Sequence, residues 1–340
     1  MTKKGNKNTT PKKKVIVDPP EYTGFKNNHQ FLFAYAVQRA NPNGDPLTDN
    51  RPRFDAWNGR ALVSDVRTKR TIRDQAMWCG EPVFIEGVVE TLQARATRYG
   101  DALGIKVADI KPQEMCQKHF DTRLFGMVYA KEKNNFHATG SVQFQDGMSL
   151  NKCQIETMQG TGAFKTAEKA TARTFRMDYI LPYALIAVAG DASVKTAVEQ
   201  CAEAKLDRLA TEEDLEAMKN YLWDGINTLH SRSKRGHTSV LLLDIKWKED
   251  ASSILPFPQE LVRICGEDEQ ELTDDEQYSL RSIKDHKIDL SPLFERIKES
   301  YIDEIESIYI RNIQEVRFTE TTMNFIEDFL KEEKLVQEEI

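Results

Sequence analysis

The chain has 340 residues, 40% of them hydrophobic and 30% charged, enough apolar material for one elaborated domain or two ordinary ones and too much for wholesale disorder. Its longest apolar run, residues 180–189, contains Pro182 and falls short of the ~20 residues that span a bilayer, and no apolar stretch follows its lysine-rich start, so a cytoplasmic protein without a membrane partner is expected. The formal charge of −7 divides unevenly: residues 266–340 hold 22 acids and 9 bases (net −13), leaving 38 of the 47 bases and 32 of the 54 acids (net +6) to the rest, a balance that does not exclude a polyanion.

The first 14 residues hold six lysines and no acid. Residues 1–30 therefore read as a basic disordered arm or an expression remnant, with structure starting near Phe31. Phe31, Phe33, Tyr35 and Val37 then alternate with mostly smaller residues, which is the period of a strand. Residues 41–46, Asn-Pro-Asn-Gly-Asp-Pro, are too rich in turn formers for regular structure. Ser64 suits the N-cap of a helix reaching about Trp78. Residues 81–120 read as irregular helices, 123–130 and 140–144 as short strands, and 146–177 as a projecting loop or hairpin. Residues 178–189 read as a strand broken by Pro182.

The clearest helix is 211–230, where Thr211 and Asp214 form a capping box and Leu215, Met218, Leu222, Ile226 and Leu229 make the apolar stripe. A strand over 239–247 follows. The order β, α, β, β, α, β, with long insertions, predicts an α+β fold of ferredoxin-like type over residues 31–250. Residues 251–340 are expected to form an acidic helical C-terminal extension.

Five scattered cysteines (Cys79, Cys116, Cys153, Cys201, Cys265) without a CxxC pair, and histidines without HExxH spacing, predict reduced thiols, no metal and no cofactor. No GxSxG, P-loop or Rossmann fingerprint is present. Asp45, Asp49 and Asp55 could gather around a metal, but aspartates in such a loop more often serve the turn.

Four basic or backbone-rich groups remain. Asn41 to Asn50, with Arg51 and Arg53 behind, can form an anion-binding nest at Gly44, or simply a surface turn. Arg67, Lys69, Arg70 and Arg73 share an arc of roughly 160° on the helix begun by Ser64, suited to phosphates or to solvent. Lys152, Lys165, Lys169, Arg173 and Arg176 stand among Met158, Phe164 and Phe175, a mixture that can hold a strand and splay its bases, or a flexible basic loop. Arg232, Lys234 and Arg235 precede the last strand, where cations also complement the dipole of the preceding helix.

Taken together, residues 41–46, Asp49-Asn-Arg-Pro-Arg53 and Val63-Ser-Asp-Val-Arg-Thr-Lys-Arg-Thr-Ile-Arg73 closely resemble the signature of the Cas-seven superfamily of CRISPR-associated proteins, in its type I-B and I-C branch. Thr122-Arg-Leu-Phe-Gly126, Gly140-Ser-Val-Gln-Phe144 with Ser149-Leu150, Pro182-Tyr183, and Arg232 to Gly236 with the strand after them follow in the same order. The resemblance covers about residues 31–250. It implies a palm of RNA-recognition-motif type, helical fingers over 80–120 and a thumb hairpin over 146–177. It further implies a crRNA-binding backbone subunit of a type I Cascade complex that stacks head to tail with copies of itself and presents the spacer to target DNA beside other Cascade subunits. Carried over, Asn41, Asn43, Gly44, Ser64 and the basic residues from Arg51 to Arg73 would line the palm groove, Gln143 and Ser149 the thumb base. A scaffold that accepts any spacer should grip phosphate and 2′-OH rather than base edges. Two alternatives stand beside this non-enzymatic reading: an RNA-cleaving relative using Asp45 or Asp49, and a ferredoxin-like module that binds proteins only.

Overall fold

The alternation between residues 31 and 37 does form a strand, but one buried on both faces. The structure, a computed structural model, describes residues 21–87, 90–130, 135–165, 173–249, 251 and 254–340, without the side chains of 161–165 and 173–176. Strand β1 (His29–Ala40) runs through the middle of the main sheet. Phe25 is buried in the core and Tyr22 packs against it, so ordered packing starts earlier than Phe31. The six N-terminal lysines lie outside the described residues.

Two short hairpins follow β1: β2 (Gly44–Asp45) with β3 (Arg51–Pro52), and β4 (Phe54–Asp55) with β5 (Arg60–Val63). Helix α1 (Asp65–Trp78) starts at Ser64, whose Oγ accepts from the Arg67 N–H. The expected helical insertion is present as α2 (Leu92–Leu103), α3 (Pro112–Lys118) and α4 (Phe120–Phe125), with a core of its own that includes Ala96, Tyr99, Ile110 and Met115.

The strand expected over 123–130 begins only at Gly126, because residues 120–125 complete α4. Gly126 makes the change of direction at φ 77°, where a Cβ would stand 2.1 Å from the Ala138 carbonyl oxygen. Strand β6 (Gly126–Tyr129) pairs with β7 (Phe136–Thr139), and β8 (Val142–Phe144) and β9 (Gly147–Ser149) follow. The projecting segment is a hairpin of β10 (Glu156–Lys165) and β11 (Arg173–Ala192).

Pro182 does not break β11. Its missing N–H falls opposite Arg39, where the β1 register skips one pair and Arg39 takes φ 49°, so no ladder bond is lost there. Helices α5 (Val194–Ala204) and α6 (Glu212–Asn227) lead to β12 (His237–Trp247), with the Thr211–Asp214 capping box formed as expected.

The C-terminal part departs from expectation. It is not an all-helical extension but alternates β13 (Arg263–Cys265), α7 (Asp274–Ser279), β14 (Lys287–Asp289), α8 (Ser291–Ser300), β15 (Ile305–Asn312), α9 (Glu320–Lys331) and β16 (Leu335–Glu339). Ile308, Ile310 and Asn312 turn inward at every second position, with Ile305 also buried beyond a register shift beside Trp247, a period obscured in sequence by the surrounding acids. The main sheet runs β16-β15-β12-β1-β11-β9-β5-β4, with β8 and β10 also on β11. Within it β12, β1, β11 and β8 are antiparallel neighbours.

Both faces of this sheet are covered. On one, Ile72 and Ala76 of α1 and Leu215, Met218 and Leu222 of α6 pack on Phe31, Phe33, Tyr35 and Val188. On the other, Leu293, Phe294 and Ile297 of α8 and Phe329 of α9 pack on Leu32, Ala34, Leu241, Leu243 and Trp247. The acids of the C-terminal part thus decorate the outside of a layer whose inside completes the core. Among the described residues, no helix is long and apolar enough to cross a membrane.

Candidate nucleic-acid interface

The 41–53 loop is organised by its own side chains. Asn41, only 2% exposed, donates from Nδ2 to the Asn50 carbonyl at 2.7 Å, and its Oδ1 has no hydrogen-bond partner among the described residues. Asn43 Oδ1 accepts from the Ser64 N–H at 2.9 Å and from Ser64 Oγ at 3.0 Å, which ties the loop to the start of α1. Gly44 is required by close approach, since a Cβ would lie 2.0 Å from Asn50 Oδ1. Asp45 caps the turn by accepting from the Leu47 N–H and stands 3.7 Å from Arg53. Arg51 lies over the Tyr179 ring at 4.5 Å and reaches its hydroxyl, joining the loop to the long hairpin. Asp49 and Asn50 follow each other in the left-handed region, at φ 54° and 57°.

The cationic stripe of α1 is not what its helical arc suggests. Arg73 is buried against Asp121 at 2.9 Å, and Asp121 also accepts from the N–H groups of Phe84 and Ile85. Arg73 is thereby withdrawn from the groove, because the inserted segment folds over that end of the helix. Arg70 pairs with Asp74 and donates to the carbonyls of Ile85 and Glu86. Lys69 bonds Asp65 and Gln143, each at 3.0 Å. Arg67 alone of the four has no side-chain hydrogen bond or ion pair among the described residues; burial lowers its pKa.

Across the loop, Lys234 donates to the carbonyls of Asn41 and Pro42. Burial, then the charge of Arg67, pushes its pKa down to about 7. Arg232 pairs with Asp178 at 2.7 Å, and Arg235 is exposed. Between this turn and the hairpin base lies a cleft of about 550 Å³ lined by Arg39, Asn41, Asp49, Met158, Tyr179 and Arg232 among others. Met158 and Met177 stand exposed in its wall, and Arg39 reaches the Met158 sulfur.

Contacts thus tie Asn41, Asn43, Arg53 and Ser64 to the 41–53 loop with Gly44 and Arg51, and bring Lys234 to its Asn41 and Pro42 carbonyls, Arg67 beside Pro42, and Met158 and Arg232 into the adjoining cleft, while Arg235 stands exposed on the turn before β12. Gln143 is exposed and held by Lys69. Ser149 is excluded from any surface: it is 1% exposed and bonds Ala61 and Asn151, so it braces β9 from within. Lys165, Arg173 and Arg176 sit on the paired strands of the hairpin, but their side chains lie outside those described, and Lys169 lies outside the described residues.

Sequence reading passed over Arg39, Met177 and Tyr179. Arg39 carried one signal, a basic residue at the strand end directly before the turn motif. Met177 and Tyr179 had the two-residue spacing of a strand edge.

The backbone, the turns and the unpaired cations are those of a surface that can hold an oxyanion chain. The family model described as CRISPR-associated protein Cas7 matches residues 27–291. The CRISPR-associated protein Cas7 of Haloferax volcanii is 27% identical over 324 residues, covering 84% of this chain and 86% of its own. A solved chain described as "CRISPR RNA-guided surveillance complex, pre-nicking" has a TM-score of 0.50 at 14% identity, over 84% of this chain and 92% of that one. At that identity the structural likeness concerns the fold. The family match spans well over half of the sequence and includes the 41–53 loop, α1 and the long hairpin, and the chain belongs to the CRISPR-associated protein Cas7 family.

Proposed function

We propose that this protein is the crRNA-binding backbone subunit of a type I CRISPR interference complex, and that it grips the guide and catalyses nothing. The observation that carries the reading is that Arg67 and Lys234 reach one loop from separate elements and that neither is in an ion pair with a carboxylate among the described residues. Phosphates supply the missing charge, and binding through them is blind to sequence. The antiparallel quartet β12-β1-β11-β8, crossed by α1 and α6, supports a ferredoxin-like palm of RNA-recognition-motif type. In that reading α2 to α4 are the fingers and the β10–β11 hairpin is the thumb. Copies stack head to tail along the crRNA, beside other Cascade subunits, and leave the spacer free to pair with target DNA. The cleaving alternative has less to support it, because Asp45 is already engaged with the Leu47 N–H and Arg53.

Co-expression with a CRISPR array and partner subunits, followed by sequencing of the co-purified RNA, tests the proposal. Intact guides in a multimeric particle are expected. Guide-free monomer would overturn the reading in favour of a protein-binding module.

A further inference from the structure

Trp57 is 95% exposed, at the tip of a turn that holds it in place. The Asp55 carboxylate accepts from the Trp57 N–H at 3.0 Å, from the Asn58 N–H at 3.2 Å and from Asn58 Nδ2 at 2.7 Å. Behind the tip, the Gly59 carbonyl accepts from the Cys153 N–H at 2.9 Å. Gly59 itself takes φ 68° against α7, where a Cβ would stand 2.5 Å from the Tyr278 hydroxyl. Single exposed apolar residues are ordinary. A tryptophan on a turn ordered in advance is different, because it loses little entropy on docking and has the character of a binding anchor.

The same chain carries a hollow of matching chemistry. Between strands β9 and β11 and the C-terminal layer lies a cavity of about 370 Å³, with Met148, Leu150, Ala187, Val262 and Ile264 as its apolar wall. Arg60 firms one side by donating to the Ser149 and Leu150 carbonyls at 2.6 Å each. Gln259 donates to Gln145 at 3.0 Å, and its Oε1 is buried without a hydrogen-bond partner among the described residues. An indole offers what this hollow lacks, a flat apolar body with a single N–H donor. Glu260, Arg263 and Glu271 of its lining are exposed. Two carboxylates here, and Asp55 beside the tryptophan, disfavour nucleic acid as the occupant, whereas Arg263 and Asp55 are complementary charges.

We propose that Trp57 of one copy seats in this hollow of the next, and that the link makes neighbouring copies bind one RNA cooperatively. The proposal rests on the guide-binding reading above and names a contact that reading leaves open. The turn ends the hairpin at the outer edge of the main sheet, whereas the hollow opens over one of the sheet's faces. A knob and a hole set on different sides link copies in a repeating series rather than a closed pair. One tryptophan buries about 150–250 Å², far below the ~1,000 Å² of a stable interface. The contact therefore does not hold free copies together. It acts once an RNA brings two copies side by side and raises their effective concentration toward the millimolar range.

Sedimentation of the guide-free full chain should show monomer at micromolar concentration, while single-stranded RNA of guide length fills cooperatively. Trp57→Ala should keep the parent's melting temperature and its affinity for an RNA short enough to seat one copy. Its coupling between adjacent copies should fall about 30-fold. Unchanged coupling in that variant overturns the proposal. Disulfide mapping in a Cys79→Ser background, where the other four cysteines are buried, reads the pairing itself. W57C mixed with M148C on the RNA should give a mixed disulfide, and the double variant a ladder of linked copies. Absence of the mixed disulfide overturns the hollow as the receptor. A double variant that stops at dimers, or closes within one chain, overturns the repeating link. A parent that binds no RNA at any salt would overturn the guide-binding reading, and the mixed disulfide in concentrated protein would still decide the contact.

Discussion

Arg67 and Arg73 lie on the same helix face as judged from sequence, yet their neighbours give the two charges different roles. Arg73 is sealed against Asp121, and removing one partner of a buried pair strands the other charge at a cost of about 3–5 kcal/mol. Arg73→Ala should therefore lower unfolding stability by that amount in a denaturant melt. Arg67→Ala strands no partner carboxylate, so it should cost less stability than Arg73→Ala but weaken guide binding and reduce its salt slope by about one. Equal loss of stability in both variants would contradict the division.

A second residue-scale prediction concerns His29, which lies between Asp244 at 3.0 Å and Glu212 at 3.3 Å, with Lys219 on the far side of Asp244. Burial alone would lower its pKa, but hydrogen bonds and charge from the two acids outweigh burial and raise it to about 9. The folded value lies above the ordinary one of about 6.5, so its stabilisation is fully present below that ordinary value and is lost as pH rises through 9. The melting temperature should decline on the alkaline side, and His29→Gln should remove that part of the decline.

At the scale of elements, local chemistry and tertiary contacts share control. Helix α6 was legible because Thr211 and Asp214 satisfy each other's backbone N–H groups and the stripe behind them matches the helical period. Thr211→Ala should cost about 1 kcal/mol, read as a shift in denaturation midpoint with the strands unaffected. Strand β11 was legible only in part. Pro182 argues for a break by local rules, but the skipped pair at Arg39 absorbs its missing donor, and no sequence signal announces an unpaired position in the partner strand. Likewise the Arg123 segment looked extended until α4 packed against the inserted helices.

For the whole molecule, the decisive feature is that the C-terminal part closes the second face of the sheet. Phe294 is fully buried between Phe325 and Phe329, and Phe294→Ala should cost about 3–5 kcal/mol. Truncation after Cys265 would bare Leu241, Leu243, Ile245 and Trp247. It should yield insoluble or molten protein, measured as lost near-UV circular dichroism, rather than a working palm without its tail. A soluble, guide-binding truncation would show that the layer is dispensable.

The order of β1, α1, α6 and β12, the turn chemistry of residues 41–53 and the family resemblance were legible from the residues alone, because period, capping and turn formation are set within a few residues of the chain. The sequence also singled out Arg67 and Lys234, though only as two among many cations. Which cations remain unpaired was decided by the tertiary structure. Asp121, Asp74 and Gln143 neutralise or hold Arg73, Arg70 and Lys69, and two of these partners meet α1 through the inserted segment or its flanking strand. The same holds for the acidic tail: its charge was visible in composition, but its role as the second covering layer depends on contacts with β12 and β1, far away along the chain, which no local pattern encodes.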